Sequence, residues 1–508
     1  MTIPNEIRVL KCADCARSES AVEGVRPDGV LPIPVDALTG WQEGRPGEGG
    51  VSRRSLLANG ALGLASVYGA SKLSFDEIFQ TAIAEGAQPD SCLVVIYLNG
   101  GNDGLNCLVP NEGDMTSSPV ALPHGYAAYK AARPNIYRIQ GNGTMARAGS
   151  TPLPGGVDNA KLAFANPLVS GTDSTDKNQS PYGLDTLFGD GTGTGIGSDL
   201  AVVPGAEYSP SNGSHFESRD YWFAGATTKM QTGWLGRWLD NYGSTTNPLQ
   251  AVSIDSDLSK QIRSSKAPVA ALQSLTGVGF NAPGLNTDSV NAEVAKLAAV
   301  QATAGNDHLA RSRGMYGLTV DVANKLKAVP PGAAKPGYPN SYLSDRLKLA
   351  ATLLGAGLGT RFVTIDWGGF DTHGDQLASQ DPQLRTLSQA LGAFKEDLKS
   401  RGIEQKVVTM VFSEFGRRVH DNESLGTDHG AGGTILLSGS VVRGGLAGEN
   451  PGLYDTDGNL SVSTDFRSVY QALITDWLGG DPAAVLPGGG TFKALNPRAG
   501  SASLLKVA

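Results

Sequence analysis

Two short apolar runs, at 362–365 (FVTI) and 407–412 (VVTMVF), enclose a stretch with helical spacing. Runs of that length, rich in β-branched residues and bounded by turn residues, suit strands buried on both faces of a parallel sheet. Between them Leu384, Leu387, Leu391, Phe394 and Leu398 share one helical face. Strand, helix and strand make a βαβ unit. Open sheets of such units bind ligands beyond the carboxyl ends of their strands. Asp371, His373, Glu414, Asp428 and His429 all fall in that zone or shortly after it.

The remaining strand signals agree. Residues 93–98 (LVVIYL) run into the turn NGGNDGLN, which puts Asp103 just past a buried strand. Residues 200–203 and 434–438 read as further strands, and 341–354 as a strong helix. Thr464 is expected to cap a helix reaching Leu478, with Val469, Leu473 and Trp477 facing the core. The segment from Thr232 to Trp238 is expected to pack aromatic rings over the sheet. Residues 110–195 carry tracts such as GTDSTDKNQS and read as surface insertions, in keeping with 67 glycines in 508 residues. These patterns read as the α/β class, with buried parallel strands, helices between them and loop-rich insertions. A net charge of -8 gives no basic face for nucleic acid. Four cysteines are too few for a disulfide scaffold, and Cys92 and Cys107 read as buried thiols.

The N-terminal stretch divides differently. Residues 1–50 lack periodicity, and Cys12 and Cys15 form half a zinc knuckle with no second pair to close it. Arg53 and Arg54 precede a weakly apolar, Gly/Ala-rich run, the pattern of a twin-arginine export signal, with cleavage expected after Ala84 or Ala87. This gives an extension (1–50), a signal region (51–87) and one large domain (88–508). It places the mature protein in the periplasm or outside the cell. No segment reads as a membrane span.

The strand-end groups suggest chemistry. Carboxylates mixed with imidazoles are ligands for Zn, Mn, Mg or Ca, and a bound cation removes the cost of packing acids together. The expected metal ligands are Asp103, His215, Asp371, His373, Glu414, Asp428 and His429. Ser214, beside His215 in the Gly-rich turn SNGSHFES, is the candidate nucleophile, and with Glu217 it also has capping-box spacing. Arg417 offers a guanidinium fork for phosphate or sulfate oxygens.

Taken in order, LNGGNDGLN, SHF, TGWLGRWLD, GGFDTHGDQ, FSEFGRR, GTDHG and TDFRSVY resemble the domain of unknown function 1501 family, over most of the chain. That family looks like a distant branch of the alkaline phosphatase and sulfatase superfamily. The resemblance implies an alkaline phosphatase-like fold, a doubly wound, mostly parallel α/β sheet sandwiched by helices, with a metal-dependent site at the strand carboxyl ends. It matches Asp103 to one metal, Asp371 and His373 to another, and His429 to the late His of the first. The superfamily spaces its Asp and His more widely than Asp371 and His373. In FSEFG, Glu414 replaces an Asp and Phe415 stands where a His is expected; His215 would supply the missing ligand. The expected function is an exported metallohydrolase of phosphate or sulfate esters, acting on a small anionic ester or a glycan. The alternatives are a catalytically silent binding or envelope protein, and a single-metal transferase.

Overall fold

The computed structural model describes residues 90–110, 125–137, 150–152, 162–169, 181–188, 199–275, 286–299, 307–327, 329, 337–448, 451, 453, 457–488, 491–495 and 504–505. Cys12, Cys15, Arg53, Arg54 and the two expected cleavage points lie outside the described residues, as does most of the insertion-rich region.

Twelve strands occur among the described residues. In chain order they are β1 (Cys92–Asn99), β2 (Leu108–Pro110), β3 (Ser150–Pro152), β4 (Leu162–Ala165), β5 (Leu200–Glu207), β6 (Ala251–Ser253), β7 (Ala270–Ala271), β8 (Phe362–Gly368), β9 (Val407–Phe412), β10 (Gly433–Ser438), β11 (Gly445–Leu446) and β12 (Thr464–Asp465). Nine form one sheet in the order β11-β5-β10-β9-β1-β8-β6-β7, with β12 also on β5, while β2, β4 and β3 make a small antiparallel sheet. In the large sheet only β10 runs against its neighbours. The carboxyl ends of β1, β5, β8 and β9 therefore open onto the same rim. β1 lies at the centre, with Tyr97 in register with Asp366 of β8 and Phe412 of β9.

Six helices matter below: α1 (Gly125–Ala132), α2 (His215–Ala224), α3 (Trp234–Tyr242), α4 (Tyr342–Gly355), α5 (Gln376–Ser400) and α6 (Phe466–Leu473). Alternate side chains of β1 divide the core between the two faces, as a period of two requires. Val94, Ile96 and Leu98 pack with Leu347 of α4 and with Leu384, Leu387, Leu391, Phe394 and Leu398 of α5. Leu93, Val95 and Tyr97 pack with Trp222, Trp234, Trp238 and Tyr470 from α2, α3 and α6. Trp222 stacks on Phe412 and Phe466 at centroid distances of 5.0 and 4.3 Å, so the aromatic layer joins α2 and α6 to the end of β9. The chain is thus an α/β protein with a mixed, mostly parallel central sheet flanked by helices.

One expected helix differs. Thr464 does not cap it. Thr464 and Asp465 pair with Ala206 and Glu207 of β5, and Asp465 caps α6 by accepting from the Arg467 N–H at 2.9 Å. The helix then widens into a π turn, Ile474–Leu478, and Trp477 is only half-buried. The Trp477 indole N–H donates to the Cys92 carbonyl at 2.9 Å, which turns the ring toward the sheet's other end. Cys92 and Cys107 are buried and not joined in a disulfide.

The turn after β1 is tight. Gly100 has φ 127° and Gly101 φ 73°, both in the region that disfavours side chains. A Cβ on Gly100 would lie 2.2 Å from the Asp371 amide nitrogen, and one on Gly101 2.1 Å from the Phe415 ring. Gly100→Ala should therefore cost about 3 kcal/mol or more in urea unfolding, from overpacking plus the positive φ. A loss below about 1 kcal/mol would show that the rim is looser than described.

Candidate metal centre

Three chain segments meet at the rim. β8 ends at Gly368, and the following turn buries Phe370, leaves Asp371 one-third exposed and presents His373. The segment after β9 carries Glu414 and Arg417, and Arg417 pairs backbone to backbone with His429. His215 is the first residue of α2, held there by the Ser214 cap.

Asp371 is the hub. Its Oδ1 lies 2.6 Å from Arg417 Nη2, 3.0 Å from His373 Nε2 and 3.1 Å from His429 Nε2. Its Oδ2 faces His215 Nε2 at 3.4 Å. The three imidazole Nε2 atoms thus converge on one carboxylate. Each Nδ1 is held from behind, by Glu414 Oε1 for His215 (2.7 Å), by the Gly213 carbonyl for His429 (2.8 Å) and by Asp428 Oδ1 for His373 (3.4 Å). An acceptor behind Nδ1 fixes the tautomer and leaves the Nε2 lone pair for a metal.

The protonation states sharpen this. Burial lowers the His429 pKa, and Arg417 and His215 add to the effect over the opposing pull of Asp371, so the ring is neutral. The Gly213 carbonyl can only accept, so the proton sits on Nδ1. Nε2 therefore turns a lone pair toward the Asp371 carboxylate and toward His373 Nε2, 2.9 Å away. Burial works against charge on His215, but Asp371 and Glu414 outweigh it and raise its pKa to about 9. Burial also opposes ionisation of Asp371, yet the three imidazoles and Arg417 hold it well below the usual carboxylate range. His215 Nε2 is sealed from solvent and makes no hydrogen bond. His215, Asp371 and His429 bring one ligand atom each within 4.8 Å of one another, with His373 alongside as a fourth donor. This donor set fits a small divalent ion.

The other expected ligands sit elsewhere. Glu414 is fully buried and accepts from the Gly100 and Gly101 amides (2.9 and 3.0 Å) and the Ser413 hydroxyl (2.9 Å) as well as contacting His215. Burial opposes its ionisation, but these partners keep its pKa below the ordinary value. Glu414 orients His215 rather than facing the cluster centre. Asp428, more than half exposed, supports His373 in the same way. Asp103 belongs to a separate buried pair: Arg133 Nη1 and Nη2 reach its two oxygens at 2.6 and 3.1 Å, and Gln376 adds a bond at 2.5 Å. Its oxygens are taken up by that guanidinium, which corrects its expected place as a ligand. Arg417 is also corrected as an anion clamp. Its guanidinium is fully buried and donates to the carbonyls of Gly100, Gly101, Phe370 and Thr427 and to Asp371, so it is turned into the backbone rather than toward solvent. Ser214 caps α2, its hydroxyl accepting from the Glu217 N–H at 3.5 Å, which leaves its own O–H to donate.

Sequence reasoning missed three groups. Arg133, on the chain just after α1, pairs with Asp103 across 30 residues with no local signal. Glu207, at the end of β5, is fully buried; burial pushes its pKa well up, while Oε2 accepts from the Gly432 amide at 2.7 Å. Asp366, in β8, is half-buried, and its Oδ1 has no hydrogen-bond partner. Burial and the nearby Asp255 raise its pKa to about 7, against the pull of Arg219.

Asp366 gives a pH test. Its carboxyl titrates near 3.8 when unfolded and near 7 in the fold, so the folded state holds the extra proton between those values. Stability then falls as pH rises through that window and stays low above it. Asp366→Asn should melt at a higher temperature than the wild type at pH 8, with the gap shrinking toward pH 4. An equal gap at both pH values would contradict a raised pKa.

No curated protein matches the chain. The family model described as "Protein of unknown function (DUF1501)" matches residues 90–476, from just before β1 to beyond α6, and takes in every residue of the cluster. A match over that much of the sequence makes this chain a member of the DUF1501 family.

Proposed function

We propose that the protein is a metal-dependent hydrolase of phosphate or sulfate esters, with one divalent ion held by His215, Asp371, His429 and His373. The observation that supports this most is geometric: His429 turns Nδ1 to the Gly213 carbonyl at 2.8 Å, so its Nε2 lone pair faces the Asp371 carboxylate at 3.1 Å. Two acceptors in that position repel unless a proton or a cation lies between them. Three nitrogens and a carboxylate favour zinc, iron or manganese over calcium or magnesium. Phe415 takes the place of a second site's imidazole, and its buried ring packs 4.5 Å from His429 and 4.9 Å from His215. With Asp103 paired to Arg133, the residues present suit one ion rather than two.

Such an ion would polarise the ester oxygen and lower the pKa of a bound hydroxyl or water. Ser214 is the nucleophile of this proposal. It precedes His215 directly, and the positive end of α2 favours negative charge on its oxygen. Glu414 and the Gly213 carbonyl hold two of the imidazoles still, so the chain supplies a preformed site.

Elemental analysis of protein purified without added metal is expected to find about one transition ion per chain, as four protein donors would hold. Asp371→Ala should lose the ion and turnover of aryl phosphate or aryl sulfate together. Ser214→Ala should keep the ion, lose turnover and cost about 1 kcal/mol of stability from the lost cap. Wild-type protein that takes up no zinc, iron or manganese would sink the metal reading. The full burial of Arg417, away from any incoming anion, favours a second reading, a binding protein that retains the fold. A loaded wild type that hydrolyses neither ester would favour that reading.

We also propose export by the twin-arginine route, resting on Arg53 and Arg54 ahead of a weakly apolar run. A reporter fused after residue 87 should reach the periplasm, and Arg53→Lys with Arg54→Lys should abolish that. Equal export of the double variant would refute it.

A further inference from the structure

The three imidazoles of the cluster are not held alike. His215 and His429 lean on a buried carboxylate and a backbone carbonyl, Glu414 and Gly213. His373 leans on Asp428, a carboxylate at the surface, across a long 3.4 Å contact. Its side chain is also the most exposed of the three, at 30% against 17% for His215 and 12% for His429. An exposed carboxylate at that distance does little to fix a ring by itself. Yet His373 Nε2 stands 3.0 Å from Asp371 and 2.9 Å from His429 Nε2, as close in as its better-held neighbours.

Asn422 makes up the difference. Its Nδ2 donates to the His373 carbonyl at 3.0 Å and to Asp428 Oδ1 at 3.2 Å. Its Oδ1 accepts from the Ser424 and Gly426 amides at 3.0 and 3.1 Å. Neither a carbonyl nor an ionised carboxylate donates, so only this orientation of the side-chain amide serves all four partners. The loop that carries Asn422 is locked in turn. Its Ser424 and Leu425 carbonyls accept from the Asp375 and Gln376 amides at 3.0 and 2.9 Å, where α5 begins, and the Thr427 N–H donates to the Thr372 carbonyl at 3.2 Å. A Cβ on Gly426 would lie 2.3 Å from the His373 carbonyl carbon, so the loop rests directly on the histidine's backbone. Leu425 holds φ 60°, a left-handed conformation that leucine rarely adopts, and stays 45% exposed. Burial of that side chain is therefore not what gives the loop its shape.

We propose that Asn422 is a positioning residue of the metal centre, setting His373 against Asp371 through the His373 carbonyl and the Asp428 carboxylate. Its part in holding an ion rests on the metal-site reading; its hold on the ring does not. The test is the zinc affinity of the full chain, measured by competition with a chromophoric chelator, together with crystal structures of the zinc-free protein. Asn422→Asp keeps an acceptor for the Ser424 and Gly426 amides, and so keeps the loop, but removes both donors. A new negative charge near a bound cation would by itself tighten binding, so weaker binding reports a misplaced imidazole. Zinc affinity should fall about tenfold to a hundredfold, the usual cost of losing the group behind a metal ligand. Asn422→Ala should fall at least as far. Glu423→Ala removes an exposed charge from the same loop and should change affinity by less than about twofold. Without zinc, the Asn422→Asp structure should show the loop in place and the His373 ring turned away from Asp371. Unchanged or tighter zinc binding in Asn422→Asp, an equal loss in Glu423→Ala, or a ring that keeps its 3.0 Å contact with Asp371 overturns the assignment. A wild type that takes up no zinc, iron or manganese, with the ring displaced in Asn422→Asp, fails the metal reading and keeps the positioning role.

Discussion

A single buried carboxylate holds the rim together. Glu414 follows β9, accepts from the amides that follow β1, and grips the imidazole that begins α2. A charge with no exposed surface is tolerated only when its oxygens are well satisfied, and here two amides, a hydroxyl and an imidazole do so. That requirement forces the β1 turn into its positive-φ glycine pair, because only there do two successive amides point at one acceptor. The position of His215 is therefore set by the backbone of a different strand. Ser218, one turn further along α2, donates to the Glu414 carbonyl and ties the same helix down a second time.

Arg417 does the complementary work. Its guanidinium is sealed from water, and four backbone carbonyls surround it. Carbonyl dipoles compensate only part of a full charge. The remainder is met by Asp371, whose carboxylate is thereby anchored from below. One oxygen of Asp371 is thus shared between a fixed cation and two imidazoles, while the other faces His215. A carboxylate held in this way cannot swing away, so the three imidazoles keep a fixed partner.

The periodic parts of this architecture were legible in the sequence. The bounds of β9 and the five buried side chains of α5 follow from β-branched runs and 3.6-residue spacing. The rim location of Asp371, His373, Glu414 and His429 follows from the parallel arrangement those runs imply. The division of labour among them does not. Whether an acidic side chain faces a metal or stands behind an imidazole depends on a rotation about one or two bonds, and Glu414 and Asp428 took the supporting role. Asp103 was misplaced because its partner Arg133 lies across a loop-rich interval with no pattern to align them. Arg417 was misjudged because its partners are mainly carbonyls, which every residue carries and no sequence pattern reveals. Thr464 lost the capping position because Asp465 is an equally strong cap and strand pairing claimed the threonine. Asp366 left a faint trace, an acid inside an otherwise apolar strand.

Phe415 explains why the cluster takes the form it does. An imidazole at that position would add a nitrogen donor and suit a second ion beside the first. A phenyl ring offers none, and its full burial between Gly101, His215 and His429 turns that side of the site into an apolar wall. Such a wall keeps water from one flank of the imidazoles and lowers the local dielectric, which strengthens every charge interaction at Asp371. On the other flank Asp371 and His373 are each roughly one-third exposed. A single phenyl ring thus removes a possible donor from one side of the imidazoles and leaves the Asp371 carboxylate and His373 as the parts of the cluster that solvent reaches.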